Sequence, residues 1–350
     1  MNEKELYAAA KRRFDSLAKP IDGFGYIEDL ICTIASAQGR LIPDISKRAL
    51  IVMCADNGVV EEGVSQTDSS VTSKVADLLA AGKSTVGVMT RNYNIEVIPV
   101  DIGIDTCEKI PGVLGRKVAK GSGNIARGDA MTAGQCLAAI HAGIDIVSDC
   151  ADKGFGIIAT GEMGIGNTTT SAALLCALTG ADPESVTGRG AGLSDEGMKR
   201  KINAVKRALN IHGYEGKTPG TINPEEAFSA LCRVGGLDIA GLCGVYIGGA
   251  KYRIPVVIDG VTCAAAALVA SYIEPECRRF MIASHKGREK GIERVLSILG
   301  LRAVIDADMA LGEGTGAVMI FPILDMVMSV YSEGTCFDTT GIAKYERFGI

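Results

Sequence analysis

The stretch from Gly161 to Ser171, GEMGIGNTTTS, places glycines, a glutamate, an asparagine and three threonines between an apolar run and a small-residue helix. A glycine-rich turn that opens a helix leaves backbone N–H groups free, and the positive helix end attracts anions. The pattern predicts a phosphate cradle beside the carboxylate of Glu162, with a tight turn and a threonine cap as the alternative. Its amides come from Gly164, Ile165, Gly166 and Asn167.

A second acidic residue stands alone in the stretch DMALGEGTGAVM. Gly312 and Gly314 flank Glu313, and glycines let backbone and ligand approach closely. An apolar surround formed by Met309 and Leu311 would raise the pKa of this carboxylate, as a general base acting near neutral pH requires. We therefore predict that Glu313 is a general base, with a solvent-facing loop glutamate as the alternative.

The segment GRGAGLSDEGMKRK places further glycines before a helix that Ser194 caps. Lys199, Arg200 and Lys201 lie in the second turn of this helix, where a lysine reaches an anion held near the glycines. A solvated basic face is the alternative, and it is our interpretation of Lys199 and Arg200.

Six short apolar runs, rich in Val and Ile, must position these residues. Parallel strands that are buried on both faces have this composition, and the intervening segments are long enough for crossover helices. The pattern predicts an α/β fold with a doubly wound, mostly parallel sheet and helices on both faces. The runs are residues 49–56, 95–101, 155–162, 254–260, 278–284 and 302–306.

A polar residue stands at or just past the end of each predicted strand. Ligands of open α/β sheets bind outside the carboxyl ends of the strands, so these residues predict a site along that edge. Helix capping explains one or two of them. They are Asp56, Asp101, Glu162, Asp259, Ser284 and Asp306.

The two ends of the chain differ from its centre. The first residues form a charged amphipathic helix, and the segment from about residue 305 contains the helix VMIFPILDMVMSVY with no strand after it. We expect residues 1–24 and 305–350 to pack together as a small helical domain. Residues 25–304 then form the large α/β domain that binds nucleotide and base.

Composition excludes several classes of function. The net charge of -5 and the lack of basic runs argue against nucleic acid as a partner. No apolar stretch reaches about 18 residues without polar interruption, which argues against a membrane span. The 11 cysteines contain no CxxC pair, and there are three histidines, so we expect free thiols, a cytoplasmic location and no metal.

Five motifs in order, GEMGIGNTTTSAAL, GRGAGL, VVIDGVTCAAAAL, ASHKGREKG and LGEGTGA, together resemble the nicotinate-nucleotide:dimethylbenzimidazole phosphoribosyltransferase family. With ADNGVVEEGVS, the resemblance covers residues 25 to 325. It implies that the phosphoribosyl group of nicotinate mononucleotide passes to a ring nitrogen of an aromatic base, with inversion from β to α. Nicotinate leaves, and the α-ribotide enters cobamide nucleotide-loop assembly. The resemblance also implies a homodimer that uses no metal and no cofactor.

The resemblance assigns roles to individual residues. Glu313 corresponds to the base that takes the proton of the incoming azole, and Glu162 to the second acidic residue, beside ribose and base. The nucleotide-binding residues that it predicts are Gly164, Ile165, Gly166, Asn167, Thr168, Gly188, Gly190, Lys201, Asp259, Ser284, Gly312 and Gly314. The predicted base-pocket residues are Ser65, Thr67, Ser69, Met163 and Leu311.

Two departures from the family pattern leave alternatives open. The stretch SQTDSSVT has Thr67, Asp68 and Ser69 where the family has an aromatic residue and Pro-Gln, so a purine, another benzimidazole or a phenol is an alternative acceptor. Gly287 replaces a family serine, which leaves one phosphate or ribose contact open. A ribotide-binding subunit that needs a second chain is therefore the alternative function. A dinucleotide oxidoreductase is disfavoured because ADNGVVEEG, not GxGxxG, follows the first strand.

Overall fold

The computed structural model describes residues 2–216 and 220–347 and contains a six-stranded parallel sheet beside a two-stranded one. The large sheet has the order β3-β2-β1-β4-β5-β6, and β7 pairs with β8. The strands are β1 Arg48–Ala55, β2 Ile95–Gly103, β3 Leu114–Gly115, β4 Ile157–Met163, β5 Val256–Ile258, β6 Met281–Ala283, β7 His285–Gly287 and β8 Ile305–Met309.

Helices connect these strands. They are α1 Glu3–Ser16, α2 Tyr26–Gln38, α3 Ser70–Ala80, α4 Thr85–Thr90, α5 Ala133–Asp152, α6 Asn167–Thr179, α7 Pro183–Val186, α8 Asp195–Ile211, α9 Pro224–Val234, α10 Leu237–Tyr252, α11 Val261–Ile273, α12 Ile292–Leu299, α13 Thr315–Val318 and α14 Ile320–Glu333. Ser194 caps α8, as the sequence predicts, and Asn223 caps α9.

Helices cover both faces of the sheet, and the central strand β1 shows why. All eight residues of β1 are buried, and alternate side chains point to opposite faces. Ile51 and Met53 pack in one core with α5, α6, α10 and α11, whereas Leu50 and Val52 pack in another with α2, α3 and α14. This arrangement confirms the predicted doubly wound α/β fold.

The strand order reverses direction at β1. This strand pairs with β2 on one side and with β4 on the other, so the crossover connections leave it in opposite directions. A crevice therefore opens outside the carboxyl ends of β1 and β4, which is where ligands bind in sheets of this kind.

The last predicted strand is placed wrongly. Residues 302–306 do not join the main sheet, because β8 begins at Ile305 and pairs with β7 in the separate two-stranded sheet. The backbone N–H groups of Val304 and Ile305 both bind the carbonyl oxygen of Ser284, which turns the chain away from β6. The sixth strand of the main sheet is β3, which has only two residues and gives no apolar run.

The two chain ends meet. The rings of Phe14 and Tyr331 lie 4.6 Å apart, and the Arg13 guanidinium donates to the carbonyl oxygens of Tyr331 and Ser332 at 2.9 Å each. The stretch Thr315–Glu333 is long and apolar enough to cross a membrane by length and composition alone. However, 56% of its most apolar 18-residue segment is buried inside the protein. The division into domains at residues 24 and 304 stays a prediction.

Candidate active site

A cavity of about 430 Å³ opens at the carboxyl ends of the central strands. Its walls come from the segments after β1, β4 and β5, from the start of α8 and from the loop after β8. Fifteen of the predicted residues line it: Ser65, Thr67, Glu162, Met163, Gly164, Ile165, Gly166, Asn167, Thr168, Gly190, Lys201, Asp259, Leu311, Gly312 and Glu313.

One end of the cavity combines an open helix end with a buried cation. Gly166 precedes α6 with a φ of 95°, and within the described residues no side chain caps the first turn of this helix. The prediction of four free amides is wrong for two of them, because Ile165 N–H donates to Thr72 Oγ1 at 3.3 Å and Asn167 N–H to the Gly164 carbonyl oxygen at 3.1 Å. The Nζ atom of Lys201, a side chain only 1% exposed, donates to Thr168 Oγ1 at 2.7 Å. A Cβ atom at Gly190 would lie 3.1 Å from that oxygen, so the glycine keeps the space open. The arrangement suits a phosphate group.

Burial brings the ionisation of Lys201 close to neutral pH. It lowers the pKa of Lys201 to about 8, against the opposing effect of the nearby Glu289 carboxylate. Burial also raises the pKa of Glu289, which lies in the motif ASHKGREKG and lines the same cavity. A bound dianion next to Lys201 would favour the protonated lysine, so binding of phosphate and of a proton are coupled.

Glu162 lines the cavity beside the start of α6. The side-chain amide of Asn167 donates to Glu162 Oε2 and, at 3.1 Å, to Asp238 Oδ2. Burial raises the pKa of Glu162 to about 8, and the neighbouring carboxylates act in the same direction, while the Asn167 hydrogen bond opposes them. A Cβ atom at Gly312 would lie 3.2 Å from Glu162 Oε1, so the loop after β8 passes close to this carboxylate.

Asp259 holds that loop in place. Its two carboxylate oxygens accept the backbone N–H groups of Gly314 at 3.2 Å and Ala317 at 2.9 Å. Asp259 also lines the cavity, but these contacts bind the start of α13 rather than leaving both oxygens free for a ligand. The strand end β5 thereby fixes the segment that carries Glu313.

Glu313 sits in a strained and closely packed turn. Its φ is 60°, in the left-handed region that side chains other than glycine rarely adopt, and such strain is often retained at functional positions. A Cβ atom at Gly161 would lie 2.7 Å from the Glu313 carbonyl carbon, so that glycine allows the turn to lie on β4. The Glu313 carboxylate accepts the Val86 N–H at 3.3 Å. The apolar surround predicted from Leu311 is wrong, because that side chain is 56% exposed.

A second end of the cavity, lined by residues 64–75, is made of loops and one helix face. Ser65 Oγ and Thr67 Oγ1 lie 3.4 Å apart, and the Gln66 side chain donates to the Gly192 carbonyl oxygen. Val71 and Val75, one turn apart on α3, add an apolar wall near Met163. This end therefore offers hydroxyl groups and aliphatic surface to a flat, partly polar molecule.

Four predicted site residues do not line the cavity: Ser69, Gly188, Ser284 and Gly314. Ser284 Oγ donates to the Ile258 carbonyl oxygen at 2.7 Å, which joins β6 to β5. A Cβ atom at Gly314 would lie 2.4 Å from Leu50 Cδ1, so this glycine allows close packing on the sheet.

The remaining strand-end residues also serve the fold. Asp56 accepts the Asp105 N–H at 2.8 Å, and Asp101 accepts the Ile104 N–H at 2.9 Å. Asp306, in the small sheet, lies 3.7 Å from the Lys286 ammonium group. Only Glu162 and Asp259 of the six face the cavity.

Sequence reasoning missed several residues that line the cavity. Val71 and Val75 carry a signal, since apolar residues four apart on a helix share a face. The others were given no role in the site, although Arg189, Gly260 and Glu289 among them lie inside motifs that carry the resemblance. They are Val64, Gln66, Arg189, Ala191, Leu193, Gly260, His285, Glu289 and Ala310. Met309, predicted as part of the apolar surround of Glu313, also lines the cavity. Within residues 2–216 and 220–347, no three His, Cys, Asp or Glu side chains are grouped as metal ligands.

Comparison with known proteins gives consistent matches along the chain. The family model described as Phosphoribosyltransferase matches residues 1–342. The chain is 42% identical to the nicotinate-nucleotide–dimethylbenzimidazole phosphoribosyltransferase of Acetivibrio thermocellus, over 98% of this chain and 95% of the relative. It is 40% identical to the enzyme of the same name from Ruminiclostridium cellulolyticum, with the same coverage. The crystal structure of CobT from Thermus thermophilus superposes with a TM-score of 0.89, at 36% identity, over 97% of this chain and all of that one.

Proposed function

The chain belongs to the nicotinate-nucleotide–dimethylbenzimidazole phosphoribosyltransferase family, and we propose that it transfers the phosphoribosyl group of nicotinate mononucleotide to an aromatic lower-ligand base. The C1′–N bond to nicotinate breaks, and a bond forms from C1′ to a ring nitrogen of the base. The products are nicotinate and an α-ribotide such as α-ribazole 5′-phosphate, a precursor of the nucleotide loop of cobamides.

The phosphate of the nucleotide is assigned to the cavity end with the buried cation. A lysine with three donors, of which Thr168 Oγ1 takes one, and an open helix end match a dianionic group. With the phosphate at this end, the ribose lies beside Glu162. The base then occupies the space bounded by Val71, Val75 and Met163.

The two glutamates take different roles in the transfer. As the nicotinate bond breaks, positive charge develops on the ribose ring, and the ionised form of Glu162 beside it stabilises that charge. Because burial raises the pKa of Glu162 to about 8 in the free protein, that form becomes the major one only above this pH. Glu313, on the adjoining wall, accepts the proton of the azole N–H while the other ring nitrogen attacks C1′. The single observation that carries this proposal is the placement of both carboxylates and Lys201 around one cavity.

Three further features are proposed with the reaction. A homodimer and a cytoplasmic location are expected from the resemblance and from the free cysteines, of which nine are buried. The natural acceptor is a benzimidazole or a related base, and the hydroxyl-lined wall at Ser65 and Thr67 leaves a purine or a phenol as the alternatives.

A nicotinate-release assay tests the proposal. Purified protein is incubated with nicotinate mononucleotide and, in separate reactions, with dimethylbenzimidazole, adenine or p-cresol, and the products are resolved by mass. We expect nicotinate and one α-ribotide in at least one reaction. Binding of nicotinate mononucleotide without release of nicotinate for any base would instead support the alternative, a ribotide-binding subunit that needs a second chain. The altered residues 66–70 are the observation that favours this alternative.

A further inference from the structure

Behind the cavity, a buried chain of polar side chains connects Glu162 to the first turn of α10. The Asn167 Nδ2 atom donates one hydrogen bond to Glu162 and the other, at 3.1 Å, to Asp238 Oδ2. The second oxygen of Asp238 accepts the Ile239 N–H at 3.0 Å. Asp238 is 0% exposed and lies outside the cavity lining. One side-chain amide therefore bridges a carboxylate in the cavity and a carboxylate that no substrate reaches.

The surroundings of Asp238 fix its position. A Cβ atom at Gly164 would lie 2.8 Å from Asp238 Oδ2, and a Cβ atom at Gly236 would lie 2.6 Å from Asp238 Oδ1. Both glycines therefore leave room for this carboxylate. Since a carboxylate only accepts hydrogen bonds, Asn167 must turn its NH₂ group, and not its oxygen, toward Asp238. The same NH₂ group then faces Glu162.

Packing alone does not account for an aspartate at this position. Buried carboxylates are rare unless they are paired with a cation, and among the described residues no lysine or arginine pairs with Asp238. Burial raises the pKa of Asp238 to about 6, which still leaves the group ionised at neutral pH. Hydrogen bonds from Asn167, Asn57 and the Ile239 N–H hold this carboxylate at the first turn of α10. A buried carboxylate held in this way beside a reaction site is a candidate for a functional role.

We propose that Asp238 is a positioning residue, which acts through Asn167 to keep the Glu162 carboxylate aimed at the ribose of the bound nucleotide. Without the fixed acceptor, the Asn167 amide is free to rotate, and its NH₂ group no longer holds Glu162 Oε2 in place. This inference rests on the proposed function, because the reaction defines the task of Glu162.

The substitution Asp238→Asn tests the inference by its effect on kinetics. Asparagine has nearly the same shape but can accept at only one side-chain atom, so it cannot receive both Ile239 N–H and the Asn167 amide. We expect kcat to fall about 10- to 100-fold, as a misplaced catalytic group does. We expect the KM for nicotinate mononucleotide to stay within about threefold, since the Lys201 end is unchanged. The matched control Asp101→Asn removes a carboxylate at the same sheet edge that contacts Ile104 and not Asn167, and it should retain the wild-type kcat.

A double-mutant cycle separates positioning from a general loss of stability. In a Glu162→Gln background, Asp238→Asn should lower kcat less than about twofold, because the group that it positions is already absent. An equal loss in both backgrounds, or an unchanged kcat for Asp238→Asn alone, would overturn the proposal. If Asp238→Asn does not fold, Asn167→Ala cuts the same link from the other side and should show the same non-additivity.

Crystal structures, which do not depend on catalysis, test this inference separately from the proposed function. Crystal structures of Asp238→Asn and Asp101→Asn should show a rotated Asn167 amide and a displaced Glu162 carboxylate in the first variant only. An unmoved Glu162 in Asp238→Asn would overturn the positioning role even if the enzyme is active. A wild-type protein that releases no nicotinate would contradict the proposed function, while the two structures would still decide the positioning role.

Discussion

The two ends of the cavity are built from different kinds of structure. At the phosphate end, Lys201 and Thr168 project from the helices α8 and α6, and the lysine is almost fully buried. At the base end, Val71 and Val75 lie on α3, but residues 65–67 and Leu311 lie on loops, and Leu311 is more than half exposed. Helices packed in a core hold a side chain in one place, whereas loops tolerate substitution. The comparison indicates a fixed site for the nucleotide and an adjustable site for the acceptor base.

Glu313 is the exception at the base end, because Asp259 holds the loop that carries it. Removal of the Glu313 carboxylate should have the largest effect. We expect Glu313→Gln to lower kcat with an azole acceptor roughly 10²–10⁴-fold, the usual contribution of a general base. The measurement is steady-state nicotinate release. Glu333→Gln, at the end of α14, is the control and should match the wild type. Unchanged turnover of Glu313→Gln would remove this residue from the role of base.

Lys201 should matter for binding the nucleotide and not for the choice of acceptor. Lys201→Met keeps the buried aliphatic chain and removes the charge, so we expect the KM for nicotinate mononucleotide to rise about 10- to 100-fold, the range for a lost hydrogen bond to a charged group. The relative rates with different bases should stay the same. Arg200→Met is the control, because Arg200 does not line the cavity and its guanidinium donates to the Gly63 carbonyl oxygen. A changed order of preferred bases would break the division between the two ends.

The hydroxyl wall should affect acceptor choice and leave the nucleotide untouched. Thr67→Val preserves shape and removes one hydroxyl group, so we expect the ratio of kcat/KM values for adenine and dimethylbenzimidazole to change about 2- to 10-fold, the worth of one hydrogen bond. The KM for nicotinate mononucleotide should not change. Ser69→Ala, outside the cavity lining, serves as the control. A change in the KM for nicotinate mononucleotide with an unchanged base preference would show that Thr67 contacts the nucleotide and not the base.

The smallest expected effect is on the stability of the protein without substrate. The pKa of Glu162 is raised from 4.5 to about 8, so between these pH values the folded state holds a proton that the unfolded state releases. Stability from this group is therefore present below pH 4.5 and is lost as the pH rises through 8. The Glu162→Gln variant has no ionisable group at this position, so its stability does not fall in this way as the pH rises. Its Tm should exceed that of the wild type at about pH 8 by on the order of 2 °C, the shift expected for roughly 1 kcal/mol, and should match it near pH 4.5. Parallel Tm curves would show that Glu162 ionises normally.

The sequence predicted those features that depend on neighbouring residues. Apolar runs located β1, β2, β4, β5 and β6, and the glycine-rich starts of α6 and α8 located the phosphate end. These signals are local, because a free helix end and a buried strand each arise within about ten residues of chain. The resemblance then supplied the roles of Glu162 and Glu313, which spacing alone left open.

What the sequence did not reveal depends on contacts between distant segments. Asp238 and Asn167 are 71 residues apart, and nothing in the local pattern GGLDIAG marks the aspartate as part of the site. The exposure of Leu311 follows from the path of the loop after β8. That path depends on the pairing of β7 with β8, whereas the sequence analysis assigned residues 302–306 to the main sheet.

The most direct test of the division between a fixed nucleotide end and an adjustable base end is a crystal structure with the α-ribotide product bound. We predict that the phosphate lies within hydrogen-bonding distance of Lys201 Nζ and the first turn of α6, with the base between Val71 and Met163 and its ring nitrogen near Glu313. A phosphate bound elsewhere, or a base seated against Lys201, would contradict the account.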